Sequence, residues 1–262
     1  MLDRLLRIFG WRMLLITGDP CVLDRWLWLR SHLLAGRRRT FDAGSGNGGF
    51  SIYAARRGNE VIGASFSVEE QQSARRRAEL LGVGGVDFRV IDLREIEAQR
   101  AALGLFEQII CLETIEHLSD DQGLVSSLAQ MLEPGGRLLL STPFVGHRPL
   151  FTEELEPSPV EDGSHVRYGY SPERLAEIAS RAGLEVTEEA FISGFIAQKL
   201  TDLMRRLSAR AGVTAGWLAV LPLRPLVAFD RPLSGLLRYP CLSVALCAVK
   251  PAPGGDPEAQ RA

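Results

Sequence analysis

The sequence predicts an α/β fold in which a mostly parallel sheet is covered by helices. Two observations predict it. From residue 37 onward, short β-branched and aromatic runs alternate with stretches of helical periodicity, the pattern of βαβ units. The 262 residues are 46% hydrophobic and 24% charged, enough apolar matter for one sizeable core and well away from the composition of a disordered chain.

The elements follow in order. RRTFDA reads as the first strand, ending at Asp42, and GSGNGG leads into a helix through FSIYAARRG. EVIGAS is the second strand. Ser67 with Glu70 three residues on has capping-box spacing and starts the next helix. VDFRVID, a helical stretch around 94–103 and LFEQIICL follow. SDDQGLVSSLAQMLEPGG reads as a helix with Ser119 as cap, Gln122 at the third helical position and Pro134-Gly135-Gly136 as its stop. RLLLSTP is the fifth strand. After a long loop over 143–170, Ser171-Pro172-Glu173 combines a cap with proline at the first helical position, and Gly183 ends that helix. LEVTEEAFI and YPCLSVALCAVK are the last strands. About 40 residues between them are too many for a hairpin loop and read as a helical insertion.

The formal net charge of −2 hides an uneven distribution: residues 1–40 carry +5, 41–195 carry −12 and 196–240 carry +5. A surface that wraps nucleic acid throughout is excluded, and an anionic partner or membrane on the basic flanks stays open. The basic residues there are interleaved with Leu, Ile and Phe, so no nucleic acid is expected. Of the 30 basic residues 28 are arginine, which fits a GC-rich genome. Four cysteines, Cys21, Cys111, Cys241 and Cys247, have neither zinc-site spacing nor disulfide-scaffold density, and a cytoplasmic setting is expected, with membrane association as a variant of it. No signal peptide is read, and the apolar run Ala211–Leu223, interrupted by Pro222, is shorter than the roughly 20 residues of a spanning helix.

The loop Asp42-Ala43-Gly44-Ser45-Gly46-Asn47-Gly48-Gly49 lies between a strand and a helix, where glycines admit a ligand close to the backbone and the helix N-terminus offers free N–H groups. It also fits a dinucleotide fingerprint through Gly44, Gly46 and Gly49, or a purely structural tight turn. A dinucleotide site wants an acid about 20 residues on, at the end of the second strand. That position is Ser65.

Across about 40–250 the chain resembles class I S-adenosylmethionine-dependent methyltransferases, including the ubiquinone-pathway O-methyltransferases and small-metabolite enzymes. The resemblance is carried by FDAGSGNGGF, VIGASFSVEEQ, DFRVIDL, FEQIICLETIEHL and MLEPGGRLLLSTP in that order. It implies a Rossmann-like seven-strand sheet, mostly parallel with an antiparallel last strand, a helical N-terminal extension and a helical insertion before the last strand. The units are then 1–36 as helical cover, 37–195 as cofactor-binding core, 196–238 as insertion or lid, 239–250 as closing strand and 251–262 as a disordered tail. It implies S-adenosyl-L-methionine as cofactor, with Gly44, Ser45 and Gly46 at its methionine part and Asp42 supporting the loop. Ser65 and Phe66 fall at the ribose, Asp92 and Leu93 at the adenine, and Cys111 on the fourth strand among the cofactor-lining positions. The departure is Ser65 where most members carry an acid. One neutral hydrogen bond replaces a bidentate charge-assisted pair and weakens binding.

Glu113-Thr114-Ile115-Glu116-His117 resembles the ExxEH motif of these O-methyltransferases and of small-RNA 2′-O-methyltransferases, in which a further histidine completes a magnesium site; His165 in HVRYGYSPERL takes that place. If the segment is helical, the polar groups at i, i+3 and i+4 share one face. The reading assigns no resident metal and keeps Glu113, Glu116, His117 and His165 as the group that would hold one, since magnesium prefers oxygen ligands. His117 is the expected base or acceptor-orienting group, with His165 and Glu113 next. His147 is a further base candidate, and His32 reads as structural. Trp11, Trp26, Trp28 and Trp217, all in the flanks, read as core packing or as the lining of a lid.

The expected activity is methyl transfer, at oxygen, to a small-molecule or lipid-like acceptor. The rival readings are a degenerate fold that works by binding through its flanks, and a nicotinamide-dependent oxidoreductase. The basic flanks are expected to meet over one mouth of the sheet.

Overall fold

The computed structural model of the protein describes residues 2–147 and 157–252. Residues 148–156 of the long loop and the tail from 253 onward lie outside the described residues.

Seven strands form one sheet in the order β3-β2-β1-β4-β5-β7-β6. These are β1 Arg39–Ala43, β2 Glu60–Ser65, β3 Val86–Val90, β4 Phe106–Leu112, β5 Leu132–Pro143, β6 Glu185–Ile192 and β7 Ser243–Val249. β7 alone runs against its neighbours, between β5 and β6, so the predicted Rossmann-like sheet with an antiparallel last strand is what forms. β1 and β4 are almost wholly buried because both faces of the sheet are covered there, and β4 is apolar from Ile109 onward.

One face carries α6 (Ile96–Leu103), α7 (Asp121–Gln130) and α8 (Pro172–Arg181), whose Leu103, Leu124, Leu128, Leu175 and Ile178 join Phe41, Ile109 and Leu140 in the main core. The other face carries α4 (Gly49–Arg56), α5 (Val68–Leu80) and α3 (Pro20–His32), where Trp28 and Leu29 pack on Ile110, Leu139 and Ile192. The preceding helices α1 (Leu2–Phe9) and α2 (Arg12–Thr17) seat Leu6, Met13 and Leu14 on α5 and β3. Beyond β6 come α9 (Phe195–Ala211), α10 (Val213–Val220), a 3-10 stretch Leu221–Phe229 and α11 (Asp230–Leu237).

The predicted caps at Ser67 and Ser171 form, accepting from the N–H groups of Glu70 and Arg174. Ser119 does not cap α7. Asp120 does, accepting from Gly123 N–H at 2.8 Å, while the Ser119 N–H is taken by the Glu161 carboxylate. A carboxylate one residue nearer the first turn is the stronger acceptor there.

The basic flanks meet. Trp217 Nε1 donates to Ile16 O at 2.8 Å, an Arg224 nitrogen donates to Gly18 O at 2.6 Å, and Cys21 Sγ lies 3.4 Å from Thr201 Oγ1. The buried Asp24 of α3 holds the Ser193 N–H at the end of β6. The four tryptophans are spent on packing in part: Trp11 and Trp26 cluster with Tyr53, and Trp28 is 1% exposed. All four cysteines are free thiols. The run Val213–Leu237, 25 residues, is by length and composition long and apolar enough to cross a membrane, which corrects the expectation from the shorter stretch ending at Leu223. The proline-broken backbone folds it as two helices and a 3-10 stretch instead.

Candidate cofactor and acceptor site

The carboxyl ends of the parallel strands converge with the start of β7 on one mouth, where ligands bind in open α/β sheets. The glycine loop opens it. Gly44 has φ +83°, and a Cβ there would stand 2.2 Å from Thr114 Oγ1, so glycine is required twice, by conformation and by the close approach of the turn after β4. Gly44 and Ser45 N–H groups both donate to Ala64 O, which pins the loop to β2. α4 begins on Gly48, which has no side chain to cap it, and of its first-turn N–H groups that of Ser51 is taken by the Asp42 carboxylate.

Asp42 is buried at the end of β1 and accepts from Ser51 Oγ at 2.5 Å, tying α4 to the strand beneath the loop. Burial pushes its carboxyl up to about 6 against the donation from Ser51. Gln71 of α5 is fully buried, donates to Ser45 Oγ at 3.1 Å and keeps Oε1 buried with no hydrogen-bond partner. A glycine cradle, an uncapped helix end and an orphaned buried amide oxygen fit a ligand with both donors and acceptors, as the methionine part of S-adenosylmethionine has.

Ser65 donates to Glu70 Oε2 at 2.7 Å, and Phe66 beside it is 59% exposed at the mouth. Asp92 is clamped by Arg94 and caps the 3-10 turn that begins at Leu93, and Leu93 itself is buried in the main core. The Arg94 guanidinium holds the Asp92 carboxyl below its ordinary value. Cys111 is fully buried among Ala43, Ala64 and Ile115, and burial drives its thiol far up, so it offers an apolar wall and no charge.

The ExxEH segment is not a helix. Glu113 takes φ +51°, and only Ile115–His117 form a 3-10 turn. The predicted single polar face therefore divides. Glu113 turns toward β5, β7 and α3: it accepts from Ser141 Oγ at 2.9 Å and Ser243 Oγ at 3.1 Å and lies 3.4 Å from Arg25 Nη2. Glu116 points inward, fully buried, and accepts from Thr142 Oγ1 at 3.1 Å. Its burial, and the charge of Glu113, hold its carboxyl well above the ordinary range. His117 and His165 meet edge to face with ring centroids 4.7 Å apart.

Glu116, His117 and His165 offer ligand atoms within 4.8 Å of one another, and Glu113 is not among them. Glu116 Oε1 has no hydrogen-bond partner and stands 3.9 Å from His117 Nε2. Residues 157–171 strap this group down: Val166 N–H donates to Glu116 O, and Arg167 binds Asp121 and Tyr170. Burial and the positive neighbours His117, Arg205 and His147 lower His165 to about 4, so its imidazole is neutral near pH 7. His147 Nδ1 contacts Phe144 O, and His32 lies away from this group, against the Trp28 ring and paired with Glu188.

Arg25, Ser141, Thr142, Ser243 and Gln71 were not read from the sequence as site residues. The STP at the end of the fifth strand was a local signal for two of them. Arg25 arrives from a helix more than 80 residues away, and no spacing rule reaches it.

The family model for a methyltransferase domain matches residues 21–189. The ubiquinone biosynthesis O-methyltransferase of Xanthomonas axonopodis pv. citri (strain 306) is 30% identical over 189 residues, which span 70% of this chain and 76% of that protein. Among solved structures, phosphoethanolamine N-methyltransferase 2 of Haemonchus contortus, in complex with S-adenosyl-L-methionine, aligns over 96% of this chain and 60% of its own with a TM-score of 0.61 at 19% identity. The cyclase SpnF aligns over 88% and 83% with a TM-score of 0.59 at 21% identity. At these identities the structures speak for the fold, and a fold hosts more than one reaction.

Proposed function

Because the chain belongs to the methyltransferase-domain family and is an S-adenosylmethionine-dependent methyltransferase, we propose that it methylates an oxygen of a small or lipid-like acceptor. The observation that supports oxygen is the pair His117 and His165 set over the buried, neutral Glu116 at the cofactor mouth. A hydroxyl must lose its proton as it attacks, and a neutral imidazole is the side chain suited to take it near pH 7. His165, with its proton affinity depressed, is the weaker base, so His117 takes the proton and His165 holds its ring.

When bound, S-adenosylmethionine supplies a methyl carbon made electrophilic by the sulfonium. Gly44, Ser45 and Gly46 hold its methionine part, and Asp42 fixes the loop through Ser51. Ser65, Phe66, Asp92 and Leu93 flank the nucleoside, and Cys111 closes the wall. Glu113, pinned by Arg25, Ser141 and Ser243, orients the acceptor side of the turn. Magnesium is not proposed: Glu113 lies outside the group formed by Glu116, His117 and His165, and two of the three remaining donors are imidazoles where this ion prefers oxygen.

The helical cover (1–36) and the insertion (196–238) form the lid of this reading, within a cytoplasmic enzyme. Val213, Leu218, Phe229 and Leu236 are each more than half exposed on the insertion beside basic residues, which supports an acceptor drawn from a membrane surface. No nucleic acid partner is proposed.

The test is an assay with S-adenosylmethionine and an alkyl-chain catechol. His117→Ala lowers kcat by roughly 10²-fold or more with S-adenosylhomocysteine binding unchanged. Transfer to an amine of similar shape but not to the catechol overturns the oxygen reading.

A further inference from the structure

At the end of β2, Ser65 is 4% exposed and occupies the place where sheets of this topology usually present an acid to ribose hydroxyls. Its surroundings restore the missing charge. Ser65 Oγ donates to Glu70 Oε2 at 2.7 Å and accepts from Ser67 N–H at 3.2 Å. Ser67 Oγ in turn accepts from Glu70 N–H at 3.2 Å and fixes the first turn of α5. With Ser67 N–H occupied by Ser65, the Glu70 carboxylate does not close the capping box and turns back to the strand end. Its other oxygen, Oε1, faces the glycine loop, 3.9 Å from where a Cβ on Gly46 would stand. Asp92, the other acid at this mouth, is clamped by the Arg94 cation, whereas Glu70 is held by the neutral hydroxyl of Ser65.

We propose that Glu70 is the acid that receives the ribose hydroxyls of the cofactor, moved five residues from the strand end to the first turn of the next helix, with Ser65 as the hydroxyl that aims it. This rests on S-adenosylmethionine being the cofactor. The bidentate charge-assisted pair expected to be lost at Ser65 is supplied by Glu70, so affinity for the nucleoside is not reduced by the serine. The same carboxylate disfavours a nucleoside carrying a phosphate at that edge, by like-charge repulsion.

The experiment is calorimetric titration of the full chain with S-adenosylhomocysteine and with its 2′,3′-dideoxy analogue, using wild type, Glu70→Ala, Glu70→Gln and, as a control in an exposed ion pair, Asp87→Ala, with a thermal melt of each. Wild type and Asp87→Ala prefer the ribose ligand by roughly 10- to 100-fold. Glu70→Ala loses that preference by weakening S-adenosylhomocysteine alone, and Glu70→Gln falls between. A preference retained in Glu70→Ala, or an equal loss for both ligands, overturns the assignment and leaves Glu70 as a prop for the loop. Wild type that binds neither ligand overturns the cofactor itself, a different failure from the other two.

Discussion

Arg25 Nη2 stands 3.4 Å from Glu113 Oε2, so the N-terminal cover is joined by an ion pair to the turn that follows β4. Both side chains are at least four-fifths buried. Glu113 also draws on Ser141 and Ser243, which puts α3, β4, β5 and β7 on one carboxylate in a left-handed backbone position. Such a conformation persists only where its surroundings hold it.

Removing one partner of this pair is therefore costly. Arg25→Ala destabilises the fold by about 3 kcal/mol, because it leaves a mostly buried carboxylate without its cation. Adding Glu113→Gln returns part of the loss. Urea unfolding of the two single variants and the double variant gives the coupling, and strict additivity would show that the pair is not formed.

Asp42 gives a pH signature with a definite sign. Its folded value of about 6 lies above the ordinary 3.8 because burial penalises the charge. Between those values the folded chain binds the proton more tightly than the unfolded chain, so this group's contribution to stability falls as pH rises through about 4 to 6 and then levels. Asp42→Asn removes the penalty and keeps an acceptor for Ser51. The variant gains on wild type across that window, by an amount on the order of 3 kcal/mol at the plateau. Unfolding free energies of both proteins at pH 4 and pH 7 check it, and a difference that does not grow with pH refutes it.

Two neighbouring residues separate the observed cap from the one expected from spacing. Asp120→Ala costs about 1 kcal/mol through loss of its bond to Gly123 N–H, and Ser119→Ala costs less, since Ser119 does not cap the helix and its hydroxyl only adds a bond to the exposed side of Glu161, which keeps the Ser119 N–H. Thermal midpoints of the two variants decide between them.

The donor set at His117 and His165 predicts indifference to metal. Activity with EDTA equals activity without it, and added magnesium changes nothing. A loss in EDTA that magnesium restores would place the ion back among Glu116, His117 and His165.

What could be read in advance was local. The strands from RRTFDA to LFEQIICL, the caps at Ser67 and Ser171 and the glycine loop are set by neighbours within a few residues and form where expected, whereas α7 ends at Gln130 and the fifth strand starts at Leu132, taking in the Pro134-Gly135-Gly136 expected to stop the helix. The ExxEH segment does not meet the condition set for it, since only Ile115–His117 are helical and in a 3-10 turn. Thr114 is packed against Gly44 and Glu113 is held in the left-handed region, and both depend on chain far away. The carboxylate of Glu70 beside Ser65 was hidden for the opposite reason: the capping-box spacing accounted for it so well that its side chain had no remaining work. That the two flanks touch was expected, although the contacts that join them are to backbone carbonyls and a thiol, not between charges, and the Arg25 contact with Glu113 was not expected.

We propose that the glycine loop and the turn after β4 together hold S-adenosylmethionine. Equilibrium binding of S-adenosylmethionine to wild type and to Gly44→Ala tests it most directly, because a Cβ at Gly44 collides with Thr114 and so forces the glycine loop and the turn after β4 apart. Saturable binding to wild type, lost in a Gly44→Ala variant that remains folded, is the predicted result. Equal binding by both proteins, or none by wild type, would contradict it.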